Sequence, residues 1–257
     1  MRMKCQMQFG SIQGRSPRVV TVLTATLGAA AMLACSPAKD TDQSAAAGDH
    51  PSSKVRTAST LPSRTGAPTV LFIGTSLTAG YGLQPDQAYP VLVEHLADSA
   101  GVPIHAINAG VSGETSAGAL ARIDWVLKQP ANVIVIETGA NDALRALPVS
   151  QARANIAAIL RKARHDRPHA QLVLVQMEAP PNLGADYTTA FHDMYGELAR
   201  QYGATLAPFL LDGVAGIPDL NQGDGVHPNA AGERIVARNV WQALEPVVKE
   251  SRGAPAA

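Results

Sequence analysis

Val70-Leu71-Phe72-Ile73-Gly74-Thr75-Ser76 is four apolar residues in an unbroken run, then a glycine and two small hydroxyl residues. A short apolar run closed by turn-forming residues fits a strand buried on both faces, as in a parallel sheet. Similar runs follow at residues 104–107, 133–136, 172–175 and, more weakly, 205–207. Between them apolar residues recur at three- and four-residue spacing: Leu120, Ile123, Leu127; Ile156, Ile159, Leu160, Ala163; Phe191, Met194, Leu198; and Val236, Val240, Leu244, Val247. Each of these stripes predicts a helix able to cover one face of a sheet. Parallel neighbours need a crossover, and crossovers share one hand. The alternation therefore predicts an α/β fold, a three-layer α/β/α sandwich with a flavodoxin-like five-stranded parallel sheet.

Working outward from that core, the 257-residue chain is long enough for one such domain, placed at residues 67–250, with residues 251–257 expected as a disordered tail. Arg2, Lys4, Arg15 and Arg18 precede or flank an uncharged run at residues 19–34, and no acid occurs in the first 35 residues. That run is shorter than a bilayer-spanning helix needs, and a polar tract follows it, so residues 1–35 read as a secretory signal peptide. Met32-Leu33-Ala34-Cys35 resembles a bacterial lipobox, which leaves two processing routes open: lipidation of Cys35, or plain cleavage. The expectation is an exported, periplasmic protein, tethered to the membrane where Cys35 carries lipid. Residues 36–66 have almost no large apolar side chains and read as a flexible tether. Cys5 falls in the leader, so no internal disulfide is expected. Removing the four leader cations from 21 basic residues against 21 acidic ones leaves a formal charge of −4. Such a balance offers no footprint for nucleic acid.

In a doubly wound sheet, ligands bind beyond the carboxyl ends of the strands. The loops there are Gly74 to Gly82, Asn108 to Ser116, and Glu137-Thr138-Gly139-Ala140-Asn141-Asp142. A histidine acting as a base needs a carboxylate to fix its tautomer, and two Asp-x-x-His pairs occur. Asp166 and His169 precede the fourth strand, at the wrong edge, whereas Asp224 and His227 follow the fifth, at the right one. Each residue alone has an ordinary structural explanation: Ser76 as a helix cap, Asn141 as a turn residue, Gly110 and Gly113 as loop glycines. Together they place a hydroxyl, an imidazole, a carboxylate and polar donors on one edge. His and Cys elsewhere form no metal-ligand pattern.

These segments resemble the conserved blocks of the SGNH (GDSL-type) hydrolases, and residues 68–248 are similar to the bacterial thioesterase I, lysophospholipase and arylesterase branch. The resemblance implies Ser76 as nucleophile, His227 as base and Asp224 as its partner. It also implies an oxyanion hole made of the Ser76 and Gly113 backbone N–H groups and the Asn141 amide. Implied as well are cleavage of carboxylic esters, acyl or aryl, and of thioesters, a small-molecule or lipid ester as partner, no cofactor or metal, and a monomer. Ala143, Leu144 and Leu183 are the residues expected to touch the acyl chain. Two positions depart from the family pattern: Thr75 stands where Asp is usual, and Ala140 where a second glycine is usual. No Gly-x-Ser-x-Gly elbow occurs, which argues against an ordinary α/β-hydrolase. The competing readings are a carbohydrate or peptidoglycan O-acetylesterase, and a non-catalytic flavodoxin-like module cradling phosphate on the first loop. The second leaves Asp224 and His227 without a role.

Overall fold

The computed structural model describes residues 66–251, so the expected leader, the tether up to residue 65 and the tail beyond Ser251 lie outside the described residues. In chain order the elements are β1 (Thr69–Gly74), α1 (Ser76–Ala79), α2 (Tyr89–Ser99), β2 (His105–Gly110), α3 (Ser116–Val126) and β3 (Val133–Ile136). They continue with α4 (Ala140–Leu144), α5 (Val149–Asp166), β4 (Gln171–Gln176), α6 (Ala185–Tyr202), β5 (Thr205–Phe209) and α7 (Ala230–Ser251). The strands form one sheet in the order β2-β1-β3-β4-β5, and every neighbouring pair is parallel. Helices α2 and α7 pack together on one face, while α3 meets α5 and α5 meets α6 on the other. This is the expected sandwich.

The three interior strands are the most apolar. Val70 to Ile73, Val133 to Ile136 and Leu172 to Val175 are buried, because helices cover both faces of the sheet there. The edge strands differ. β2 starts one residue later than its apolar run and extends to Gly110, and its side chains are exposed or half-buried; β5 keeps only Ala207 fully buried. Both carry fewer apolar residues because each has one open edge. The helical stripes fall inward: Ile156, Ile159, Leu160 and Ala163 of α5, and Val236, Val240 and Leu244 of α7, are all buried. Helix α2, whose buried face is Tyr89, Pro90, Val93 and Ala97, was not among the expected helices.

The chain leaves β1 outward to β2, then returns past β1 to β3. Between β1 and β3 the winding reverses, and their carboxyl ends splay the following segments apart into a crevice. Ser76 follows β1 there, and Glu137 follows β3. On the β2 side the approach is close. A Cβ on Gly110 would lie 2.3 Å from the Ala79 nitrogen, so the absence of a side chain lets α1 pack against the end of β2.

Candidate active site

Helix α1 has only four residues, too few to be stable by itself. It is pinned by Glu137, a fully buried carboxylate. Glu137 Oε2 accepts from the Thr75 backbone N–H at 2.8 Å and from Thr78 Oγ1 at 2.9 Å, and the Thr75 hydroxyl donates to both carboxylate oxygens at 3.0 Å. Thr75 Oγ1 also accepts from the Leu77 N–H at 3.4 Å, as the cap of α1. Thr78 is in turn bonded to the Tyr89 hydroxyl at 2.8 Å. Burial raises the Glu137 carboxyl above its ordinary pKa, against the pull of the bonds from Thr75 and Thr78. The outcome is a rigid turn with Ser76 at the head of α1, 8% exposed.

Ser76 Oγ lies 2.9 Å from His227 Nε2, and His227 Nδ1 lies 2.7 Å from Asp224 Oδ2. The Asp-x-x-His spacing does this locally. Asp224 Oδ1 accepts from the backbone N–H groups of Val226 at 2.9 Å and His227 at 3.0 Å, which leaves Oδ2 for the imidazole. Those bonds, the His227 N–H foremost, hold the Asp224 carboxyl down at about 2. Facing an ionised acceptor, Nδ1 carries the proton, and the Nε2 lone pair points to the Ser76 hydroxyl. The Tyr81 ring packs on the imidazole at 4.6 Å between centroids. Gln222 Nε2 bridges the carbonyls of Tyr81 (2.7 Å) and Pro228 (2.9 Å), tying the His227 loop to the segment after α1. The other Asp-x-x-His pair lies before β4, where Asp166 is bonded to His165 instead.

Gly113 and Asn141 line the same cleft as Ser76. The loop after β2 is docked on α4 by several bonds. Asn141 Nδ2 donates to the Glu114 carbonyl at 3.0 Å, Arg145 donates to the Gly113 carbonyl at 2.9 Å, and Asp142 accepts from the Ser116 N–H and hydroxyl at 2.7 and 2.6 Å. Arg122 adds a salt bridge to Glu114 at 2.6 Å and a bond to the Ala109 carbonyl at 2.8 Å. Gly113 takes φ +77°, a conformation few other residues adopt, at this turn. An amide nitrogen has two hydrogens, so Asn141 keeps one beyond its bond to Glu114.

The cleft has a volume of about 450 Å³ and walls that are mainly apolar, with Tyr81, Leu144, Met177, Pro180, Phe209 and Val226 among them. Of the three residues expected to touch an acyl chain, Leu144 lines it. Ala143 is buried in the core behind it, and Leu183 lies in the loop beyond the lining residues Ala179, Pro180 and Pro181. Sequence reasoning placed Tyr81 and Glu137 on the ligand-edge loops without giving either a role, and missed Gln222. Among the described residues no group of three or more His, Cys, Asp or Glu side chains is arranged to hold a metal ion.

The GDSL-like Lipase/Acylhydrolase family model matches residues 72–235. The chain is 37% identical over 190 residues to esterase TesA of Pseudomonas aeruginosa, a match covering 73% of this chain and 93% of that protein. It is 34% identical over 183 residues to thioesterase 1/protease 1/lysophospholipase L1 of Escherichia coli, covering 71% of this chain and 86% of that one. The crystal structure of the psychrotrophic esterase EstA from Pseudoalteromonas sp., inhibited by monoethylphosphonate, superposes with a TM-score of 0.66 at 33% identity, covering 71% of this chain and 99% of the other.

Proposed function

The chain belongs to the GDSL-like lipase/acylhydrolase family, and from that premise we propose that it is a serine esterase hydrolysing acyl or aryl esters, and thioesters, through an acyl-enzyme on Ser76. The observation that carries this reading is the unbroken series Ser76 Oγ, His227, Asp224, with bonds of 2.9 and 2.7 Å, at the head of an apolar cleft. A serine hydroxyl is a weak nucleophile until a base takes its proton. His227 Nε2 takes it as Oγ attacks the ester carbonyl, and Asp224 stabilises the imidazolium that forms. The carbonyl oxygen becomes an oxyanion, met by the N–H groups of Ser76 and Gly113 and the free amide hydrogen of Asn141. The imidazolium then returns the proton to the leaving alcohol or thiol, and the same steps with water release the acid.

The substrate is an ester whose acyl or aryl part is apolar, since the walls of the cleft offer few partners for sugar hydroxyls. Sugar acetates are accordingly poor substrates. The uncharged run at residues 19–34 and the lipobox-like end at Cys35 support placement in the cell envelope, where lipid and aryl esters fit better than cytosolic acyl-CoA. Labelling with a fluorophosphonate tests the central claim, because that reagent needs an activated serine. Wild-type protein should label and Ser76→Ala should not. Labelling of wild type that persists in Ser76→Ala, or its absence from both proteins, would sink the proposal.

A further inference from the structure

We propose that Glu178 is a displaceable end wall of the acyl cleft and so sets the acyl chain length accepted, an inference that rests on the esterase reading above. The cleft runs from Ser76 to the segment after β4, where Met177, Glu178 and Pro180 line it. Beyond lies a second hollow of about 570 Å³, lined by Gln176, His192, Leu206, Pro208 and others. Glu178 and Phe209 line both spaces, so one layer of side chains separates them.

The two halves of that layer are held differently. Phe209 is the last residue of β5 and pairs with Gln176 across the irregularity in the β4–β5 ladder, so its backbone is fixed by the sheet. Glu178 lies outside the sheet, and its carboxylate is held by His192 Nδ1 at 2.7 Å and Gln176 Nε2 at 3.3 Å. The His192 side chain is 59% exposed and that of Glu178 33%. A side-chain contact exposed to this degree contributes little to stability. Glu178 is therefore the half that can swing aside.

A carboxylate is a poor neighbour for the methyl end of an acyl chain, which would strip water from it without replacing the lost hydrogen bonds. Short chains end before the wall and never meet that cost. Longer ones must displace Glu178 from His192 before their ends reach the second hollow, where Leu206, Ala207 and Pro208 offer apolar surface. The prediction is a step in chain-length preference, placed where the chain reaches Glu178.

The test is kcat/KM for p-nitrophenyl esters from acetyl to dodecanoyl, for wild type, Glu178→Ala, Glu178→Gln and His192→Ala, with the melting temperature of each as a check on folding. Glu178→Ala should raise the dodecanoyl-to-butyryl ratio by about tenfold, the scale on which a cleft discriminates apolar substrates, with the gain setting in at one chain length. Glu178→Gln keeps the bulk and an oxygen for the His192 and Gln176 donors but loses the charge, so its ratio should rise by less than that of Glu178→Ala. His192→Ala removes the pin and should shift the ratio in the same direction as Glu178→Ala. An unchanged or lowered ratio in Glu178→Ala, a gain that climbs smoothly from acetyl onward, an equal gain in Glu178→Gln, or no shift in His192→Ala would each overturn the wall. Ester turnover undiminished in Ser76→Ala, or none in wild type, would remove the esterase reading and the wall with it.

Discussion

Glu233 should make the protein less stable as pH rises from mildly acidic to mildly alkaline. It sits in the first turn of α7, is 1% exposed, and accepts from the Tyr89 N–H, the first residue of α2, at 2.8 Å. Burial pushes its carboxyl up to about 8 from an ordinary 4.5; the Tyr89 bond pulls the other way, and the negative charge of Glu137 adds to the rise. The sign follows from proton binding: between those two values the native state holds a proton that the unfolded chain has lost. The group's contribution is thus fully present below about 4.5 and is lost as pH climbs through about 8. At roughly 1.4 kcal/mol per pH unit, the loss is on the order of 5 kcal/mol. Glu233→Gln removes the titration. Its amide oxygen still accepts from Tyr89, and its neutral NH₂ group stands where the protonated carboxyl of the wild type carries its O–H. The stability of the variant relative to wild type should therefore rise between about pH 5 and about pH 9, when urea unfolding is extrapolated to water at each pH. Titrating groups that are not coupled to Glu233 cancel in the comparison. A stability difference between the two proteins that is the same at both pH values would refute the reasoning.

Two further outcomes concern catalysis. Asn141→Ala should lower kcat by about 100- to 1000-fold with little change in KM, because its donor matters chiefly once the carbonyl oxygen is charged; steady-state kinetics on a butyryl ester would show a KM effect instead if Asn141 binds the ground state. Asp224→Asn should lower kcat by roughly 10⁴-fold, since the imidazolium loses its charged partner and Nδ1 its acceptor. Because Asp224 is held down at about 2, its protonation should contribute no step to wild-type activity above about pH 4. An acid-limb step in that range that Asp224→Asn removes would contradict it.

The legible parts of the fold are those whose environment is uniform along the chain. Strands β1, β3 and β4 are enclosed on both faces, so their apolar runs mark them within two residues. Strands β2 and β5 stand at the edges and carry mixed side chains, which blurs their limits. Helix α2 escaped because its buried residues include Pro90 and Ala97, weak markers of an apolar stripe, and α1 and α4 are too short for a period to develop. In the site, Asp224 and His227 were legible because three residues suffice to build their contact, and the topology says which such pair lies at the ligand edge. Gly113 and Asn141 were singled out by family resemblance, since neither type is distinctive alone. Glu137 acts on Thr75 across 62 residues, and Gln222 on Tyr81 across 141, so no local pattern announces either. One signal was present for Glu137: a charged residue directly after four strand residues that are fully buried.

That buried carboxylate also makes sense of Thr75, the departure from the usual Asp. The residue before Ser76 must do two things here: cap the Leu77 N–H and satisfy Glu137. An ionised Asp could accept from Leu77 but has no hydrogen to give, and it would set a second negative charge beside a carboxylate already strained by burial. The threonine hydroxyl does both, since it donates through its hydrogen and accepts through a lone pair. With the Thr75 N–H and the Thr78 hydroxyl it surrounds Glu137 with three donors, and the negative end of the site stays beneath α1 rather than at its surface. The short helix is then fixed by these bonds to Glu137 from Thr75 and Thr78, on either side of Ser76. The hydroxyl of Ser76 is left free of that network, where its partner is His227.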